Sequence, residues 1–515
     1  MIYPDRREVT AALIGSAALL GSRGCRHVGG RDPFTLGVAS GEPLANGVVL
    51  WTRLAPAPFE PGGGMPPGAV PVRWEIAEDE RFGIILRSGT TTADHRHGYA
   101  VHIEVGGLRP GRHYFYRFLV DGIASPVGRT RTAPLIMPDR LRAVFASCQH
   151  YEAGYFSAHL HIAADDPDLV LFLGDYIYET DPTDAGIRIH RNPQPTDLDG
   201  YRLRYATYKL DPLLQAAHRS APWIVIPDDH EVADNYGADR DGHGTDPATF
   251  LRRRAAAYQA WYEHMPVRAS AQPSGSVARL YRSIEWGGLA RFQLLDDRQY
   301  RDPPVCQPKD RLTNIPHWLR PDCAARRDTG RSMLGHTQEE WLDGQLAQSP
   351  ARWNILAQQT LLLPYCRYAP GTAPERPDLF NLDTWSGYPA ARDRIVRRWR
   401  DTRTSNPVIL SGDVHAFIAA DHADPDDPRR IIASEFVGGS VTSPNHDQRL
   451  AEAAGQEPGF RFVDGSAHGY GQLELTPDRC TITYRAVTDV RAPNSGVRDL
   501  ARFVIENGRT GLQQV

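Results

Sequence analysis

Leu169–Glu179 reads LVLFLGDYIYE. Five apolar residues run into a Gly-Asp turn, and aromatic and acidic residues follow it. An apolar run of that length, bounded by a turn former, predicts a strand buried on both faces. The same form recurs at Leu141–Cys148 (LRAVFASC), Trp223–Glu231 (WIVIPDDHE), Ala290–Arg298 (ARFQLLDDR), Trp353–Gln359 (WNILAQQ) and Val408–His415 (VILSGDVH). Each run stops at polar, metal-capable side chains. Ligands of open α/β sheets sit just beyond the carboxyl ends of the strands. Cys148, Asp175, Tyr178, Asp229, His230, Asp413 and His415 are therefore expected in one crevice, as a site for more than one metal ion.

The donor types divide that site into two halves. A single Asp in such a turn is usually only a turn former, but its repetition at successive strand ends argues for ligands. Asp175 stands where a carboxylate bridges two cations. Tyr178, three residues on, offers a hard anionic phenolate, with Tyr176 as its competitor. With the Cys148 thiolate and the His415 imidazole this makes a sulfur, oxygen and nitrogen set that suits ferric iron. Asp229 and Asp413 supply oxygen only, which favours Ca²⁺, Mg²⁺ or Mn²⁺ over zinc. His230, between two acids, either holds its loop or takes part in the chemistry of the site. Arg298 either pairs with Asp296 or Asp297 or binds an anion. His150, His468 and Asn235 are weaker candidates.

The chain of 515 residues is too long for one core, so at least two domains are expected. Hydrophobic residues make up 41% and charged residues 23%, a globular balance, and a net charge of −4 gives no nucleic-acid signature. Beyond the first thirty residues no apolar stretch reaches the roughly 18 positions of a membrane span. Residues 31–135 carry short alternating strands, such as Gly47–Arg53, Val72–Ile76, Ala100–Val105 and His113–Val120, divided by Gly/Pro turns. Such spacing predicts a small β-sandwich domain. Gly107–Arg117 (GLRPGRHYFYR) resembles the corner of fibronectin type III modules. Residues 140–490 alternate strands with helical segments such as Ala248–His264 and Thr337–Leu346, which predicts an α/β domain. In 491–515, Val497–Ile505 spaces apolar residues as a terminal amphipathic helix would.

Residues 1–30 form an export-signal pattern, with Arg6 and Arg7 ahead of the apolar stretch Ala11–Leu20. The pair resembles a twin-arginine signal, although Asp5, Glu8, Val9 and Thr10 depart from that motif. Arg23 so near Cys25 argues against a lipoprotein box. Cys306 and Cys323 bracket a Pro- and Arg-rich segment, so a disulfide there fits an oxidising compartment. Cys366 and Cys480 are expected to be buried and inert.

The ordered blocks Ala146-Ser147-Cys148, Gly174-Asp175, Asp228-Asp229-His230-Glu231 and Gly412-Asp413-Val414-His415 resemble those of metallophosphoesterases. Their particular substitutions, with Pro33–Arg53, Ala146–Tyr155, Leu294–Arg301, Ala351–Gln359 and Thr384–Ala390, are similar to PhoD-type alkaline phosphatases across nearly the whole chain. The resemblance implies an αββα metallophosphoesterase sandwich behind an immunoglobulin- or fibronectin III-like domain, and a C-terminal helix near the active site. It also implies Fe³⁺ on Cys148, Asp175, Tyr178 and His415, and one or two Ca²⁺ on acidic residues. The expected reaction is phosphate-ester hydrolysis by a metal-activated hydroxide, with His230 as proton donor and Arg298 on the substrate. Expected substrates are small phosphate esters, phosphodiester polymers or phospholipid headgroups. The expected protein is monomeric and exported to the periplasm or outside the cell. Two other readings compete. A purple acid phosphatase would need Asp, Asn and His where this chain has Cys148, Asp229 and Asp413. A non-catalytic surface binding protein would be expected to have lost ligand blocks that are intact here.

Overall fold

All six apolar runs form strands, shared equally between two sheets. The structure is a computed structural model that describes residues 31–242, 244–306, 319–364, 366–367, 379–445, 450 and 457–515. Leu141–Ala146, Leu169–Leu173 and Pro222–Ile226 lie parallel at the centre of a ten-stranded sheet. Ala290–Leu294, Trp353–Ala357 and Pro407–Ser411 lie parallel in a seven-stranded sheet.

The runs are apolar throughout because alternate residues serve different cores. Leu169, Leu171 and Leu173 pack with Phe145, Ile224 and, from the second sheet, Phe292, Ile355 and Leu410. That cluster is where the sheets face one another. Val170 and Phe172 point the other way, against Tyr205, Leu214, Ala257 and Trp261 of helices Leu198–Lys209, Pro212–Ser220 and Pro247–His264. On the far side, Leu356 and Ile409 meet Leu342, Leu346, Ile395 and Trp399 of helices His336–Ala347 and Pro389–Thr402. Each such aliphatic side chain contributes about 1.5–3 kcal/mol by leaving water.

The N-terminal strands do not stand apart from this architecture. Val38–Leu44 pairs in parallel with Pro222–Ile226, through Ser40 opposite Pro222 and Gly41 opposite Trp223. Gly47–Arg53 and Ala100–Gly106 then extend the same ten-stranded sheet. Val70–Ala77, Ile85–Ala93 and His113–Val120 form a separate sheet that encloses Val72, Ile76, Tyr116 and Phe118 against Val38, Val48 and Leu50. The parallel strand Pro222–Ile226 would otherwise end the central sheet with an unpaired row of N–H and C=O groups. Pairing to Val38–Leu44 removes that edge, so one sheet crosses the boundary expected near residue 135.

The expected terminal helix is corrected. Val497–Glu506 is a strand, antiparallel to Arg479–Val487, and Gln513–Gln514 pairs beyond it. The register shifts between Tyr484 and Arg485. An extra residue there breaks the inward-outward alternation, and the broken period-two pattern imitates helical spacing. Among the described residues 457–515 no helix is found. Cys306 and Cys323 are joined in a disulfide with Cα atoms 5.8 Å apart, and Cys480 is a buried free thiol. The expected export signal and the Cys366 side chain lie outside the described residues. Among the described residues no helix is long and apolar enough to cross a membrane.

A shared sheet joins the N-terminal segment to the α/β domain, so the two are expected to unfold together. Calorimetry of the intact protein should give a single endotherm. Trp51 is fully buried on the joining strand Gly47–Arg53, and its indole donates to the Glu263 carbonyl at 3.0 Å. Trp51→Ala should lower the whole transition by about 3–5 kcal/mol; a separate early transition for residues 31–135 would contradict the shared sheet.

Candidate metal centre

The residues after the six strands meet at one end of the seam between the sheets. Cys148 follows Leu141–Ala146, Asp175 and Tyr178 follow Leu169–Leu173, and Asp229 and His230 follow Pro222–Ile226. Arg298 and the pair Asp413 and His415 come from the other sheet, after Ala290–Leu294 and Pro407–Ser411. The backbone turns sharply to bring them in: φ is 59° at Cys148, 55° at Asp175, 63° at Asp413 and 52° at His415. Left-handed geometry at non-glycine residues costs of order 1 kcal/mol or more each and persists only when the surroundings enforce it.

Cys148, Asp175 and His415 offer ligand atoms all within 4.8 Å of one another. The Tyr178 hydroxyl joins them, donating to Asp175 Oδ2 at 2.8 Å and lying 3.1 Å from His415 Nε2. His415 Nδ1 lies 2.8 Å from the Pro444 carbonyl. A carbonyl only accepts, so Nδ1 carries the proton and Nε2 presents its lone pair to the cluster. Tyr176, the competitor of Tyr178, points into the core and bonds His218 Nε2 at 2.7 Å instead.

Asp228, Asp229 and Asp413 make a second group with ligand atoms within 4.8 Å, and Asp175, Asp229 and His230 a third that lies between. Asp175 thus belongs to the first and third groups, and Asp229 to the second and third. Thr360 Oγ1 donates to Asp413 Oδ2 at 2.9 Å, and the Asn235 backbone N–H to Asp229 Oδ2 at 2.6 Å. Arg298 is buried among these acids. Its Nε bonds Asp228, its Nη1 bonds Asp383 at 2.6 Å, and its Nη2 lies 3.4 Å from Asp229 and 3.3 Å from Asp413. Every nitrogen of the guanidinium is engaged by carboxylate.

Two glutamates set the geometry. Glu231 accepts the backbone N–H groups of Asp175 at 3.1 Å, Tyr176 at 2.5 Å and Asp228 at 2.7 Å, fixing two strand ends with one carboxylate. Glu179 Oε2 lies 2.7 Å from His230 Nδ1 and its other oxygen takes the Asp234 N–H, so the Nε2 edge of His230 is the one left for chemistry. Burial works against a charged His230, but Glu179, Asp229 and Asp175 overcome it and hold its pKa well above the usual value. The Tyr178 ring supports it with a centroid distance of 4.2 Å.

The donor set fits cations. Burial, and then the neighbouring Asp175, pushes the Cys148 thiol and the Tyr178 phenol well up. Burial raises Asp413 to about 7, with Asp383, Asp229 and Asp175 adding to it against the pull of Arg298. Asp228 is raised for the same reasons, while at Asp229 Arg298 and His230 outweigh burial and lower it. Asp175 Oδ1 and Asp228 Oδ2 are buried with no hydrogen-bond partner. Unpaired buried carboxylate oxygens are costly unless a proton or a metal satisfies them.

His150 and His468 stand at the margin. His150 Nδ1 accepts the Glu152 N–H at 3.2 Å and its ring lies 4.5 Å from Tyr178, while His468 Nδ1 meets Ser440 Oγ at 3.0 Å. Asn235 turns its side-chain amide to Asp234 at 2.9 Å. Residues not singled out from sequence are Glu179, Glu231, Asp228 and Ser443. Glu179, Glu231 and Asp228 lie within the quoted strand-end runs, where an acid-rich turn is the only signal; Ser443 carries none.

A family model for the PhoD-like phosphatase matches residues 143–484, and a model for the PhoD-like phosphatase N-terminal domain matches residues 21–134. The chain is 42% identical over 500 residues to alkaline phosphatase D of Bacillus subtilis (strain 168), covering 94% of this chain and 82% of that protein. The solved structure of PhoD superimposes with a TM-score of 0.86 at 40% identity, covering 94% of this chain and 92% of that one. Strand ends, crevice and donor set thus stand on a chain whose sequence and fold are shared from end to end with one group of enzymes, and the chain belongs to the PhoD-like phosphatase family.

Proposed function

We propose that this phosphatase hydrolyses phosphate monoesters, with diesters as further substrates, at a centre that holds Fe³⁺ and one or two Ca²⁺. The observation that carries this reading is the asymmetry of donors, sulfur, phenol and imidazole with Asp175 on one side and the carboxylates of Asp228, Asp229 and Asp413 on the other. Cys148, Asp175, Tyr178 and His415 would hold the iron, and Asp175, Asp229 and Asp413 the calcium. Cations so held supply positive charge to phosphoryl oxygens and make a nearby water more acidic.

The chain's own residues do the rest. His230, with its Nδ1 proton held by Glu179, directs Nε2 toward the crevice and passes a proton to the leaving oxygen. Glu231 keeps the bridging Asp175 and the acidic turn in register. Arg298, expected from sequence to grip substrate, is surrounded by four carboxylates. Its better reading is a built-in counter-charge that lets so many acids be buried together. The two helix layers outside the two facing sheets support an αββα sandwich. The Tyr114 hydroxyl, which bonds both Arg109 N and O, supports a fibronectin-like corner. An exported protein, secreted through a twin-arginine-like signal in residues 1–30, suits an oxidised Cys306–Cys323 pair, and polymeric phosphodiesters or phospholipid headgroups would be met there.

Metal analysis of the purified protein should find iron and calcium together, with activity lost to chelator and restored by Ca²⁺. Full activity in an iron-free preparation would overturn the assignment, and a diiron or iron–zinc content would favour a purple acid phosphatase-like centre. Cys148→Ser should lose iron and its charge-transfer colour, with activity falling at least ~100-fold. Iron retained at full occupancy in that variant would return Cys148 to a packing role.

Asp175→Ala and His230→Ala should fail differently. The first should empty both halves and abolish turnover. The second should keep its metals yet slow alkyl esters roughly 100- to 10,000-fold, with a smaller loss for nitrophenyl esters, whose leaving group needs little protonation. Equal losses on both substrates, or loss of metal from His230→Ala, would show that His230 is not the proton donor.

A further inference from the structure

Three of the groups assigned above to the iron half-site touch one short loop. Ser440–Pro444 follows the strand Asp427–Gly438 and is buried beside the site as far as Ser443. The Thr442 and Ser443 N–H groups reach the Cys148 carbonyl at 3.3 and 3.2 Å, and the Pro444 carbonyl takes the His415 Nδ1 proton. Ser443 itself is fully buried. Its Oγ receives the His150 N–H at 3.2 Å and lies 2.7 Å from the Tyr178 hydroxyl and 2.8 Å from the Cys148 carbonyl.

The proton count at Ser443 is decisive. The hydroxyl has one hydrogen and two acceptors within reach. The Cys148 carbonyl already receives two backbone N–H groups, so it does not need a third donor. While Tyr178 keeps its proton, it donates that proton to Asp175 Oδ2, and the Ser443 hydrogen is free to point at either acceptor. A tyrosine oxygen held as a metal ligand has no proton to give and can only accept, as the Tyr178 oxygen is placed to do from Ser443 Oγ at 2.7 Å. Asp175 offers no donor, and His415 Nε2 faces it as a lone pair because Nδ1 carries the ring proton. Ser443 Oγ is then the hydroxyl placed to turn its hydrogen to the phenolate.

We propose that Ser443 is a positioning residue for the Tyr178 phenolate, donating to its oxygen so that the ring is aimed and its electron density lowered. This rests on the reading of Tyr178 as an iron ligand. A hydrogen bond withdraws charge from a phenolate and lowers the energy of its highest filled orbital, so it raises the energy of the phenolate-to-iron charge-transfer band. Removing the donor must move that band to longer wavelength, an effect that loss of packing alone does not give.

The test compares the iron- and calcium-loaded wild type with Ser443→Ala, Ser443→Thr and Ser443→Cys. Absorption spectra and iron content are measured side by side. In Ser443→Ala the band should shift to longer wavelength, with iron held about 10- to 100-fold less tightly, the range for loss of a group that orients a metal ligand. Ser443→Thr keeps the hydroxyl and should restore the wild-type band. Ser443→Cys, a weaker donor, should lie between, and it carries the test if Ser443→Ala fails to fold. A band unmoved in Ser443→Ala, or in Ser443→Cys where Ala does not fold, overturns the proposal while leaving Tyr178 as ligand. An iron-loaded wild type with no such band overturns the Tyr178 assignment and this proposal with it.

Discussion

Three buried aspartates, Asp228, Asp229 and Asp383, and the half-buried Asp413 crowd around one guanidinium, and the architecture of the site follows from making that arrangement tolerable. Taking a carboxylate out of water costs several kcal/mol even after the protein relaxes. Arg298 offsets some of that cost, and Asp383 and Arg301, paired at 2.7 Å, hold Arg298 from behind. Backbone N–H groups offset more, but they are directed to Glu231, which secures the turns and leaves ligand oxygens unsatisfied. What remains is negative charge with open coordination positions. Cations are the natural complement.

The site also depends on the seam between the sheets. Cys148, Asp175, Tyr178 and Asp229 are carried by one sheet, Asp413, His415 and Arg298 by the other, so their separation is fixed by Phe145, Leu171, Ile224, Phe292, Ile355 and Leu410 packed between. Close-packed interiors transmit small volume changes. Gln359 ties the two sheets at the same level, donating to the Pro227 and Leu295 carbonyls at 2.9 and 3.0 Å while its own carbonyl receives the Gly412 N–H at 2.7 Å. The chemistry of the crevice is thus a property of two sheets held in register, not of any one loop.

Much of this was legible in the sequence because strand and ligand obey local rules. LVLFLGDYIYE states its strand by apolar continuity and its function by the Asp where the run stops, and the same logic located Cys148, Asp229, His230, Asp413 and His415. The chain's membership of the PhoD-like family was legible from those blocks as well. Four things were not. Val497–Glu506 reads as a helix because a bulge at its own Leu500 disturbs the alternation. The continuation of the sheet into Val38–Leu44 depends on an edge far away in sequence, which periodicity does not encode. The engagement of Arg298 by Asp228, Asp229, Asp383 and Asp413, all 69 or more residues away in sequence, is likewise a long-range fact. A positive φ at four candidate ligands has no sequence signature either, since none is glycine.

That last feature links the site to folding. Cys148, Asp175, Asp413 and His415 hold left-handed backbone that only their surroundings enforce, beside acids that repel one another. Without cations, strain and repulsion act together against the closed site. A cation that binds only the folded form stabilises it by mass action, and binding energy at a site absent from the unfolded chain becomes folding energy. The large hydrophobic core between the sheets can form without metal, since its apolar side chains need none. The strand ends are different: their turns are held by Glu231 and Arg298, and their side chains converge only at a cost. Metal capture is therefore the step expected to complete the crevice on a scaffold already assembled.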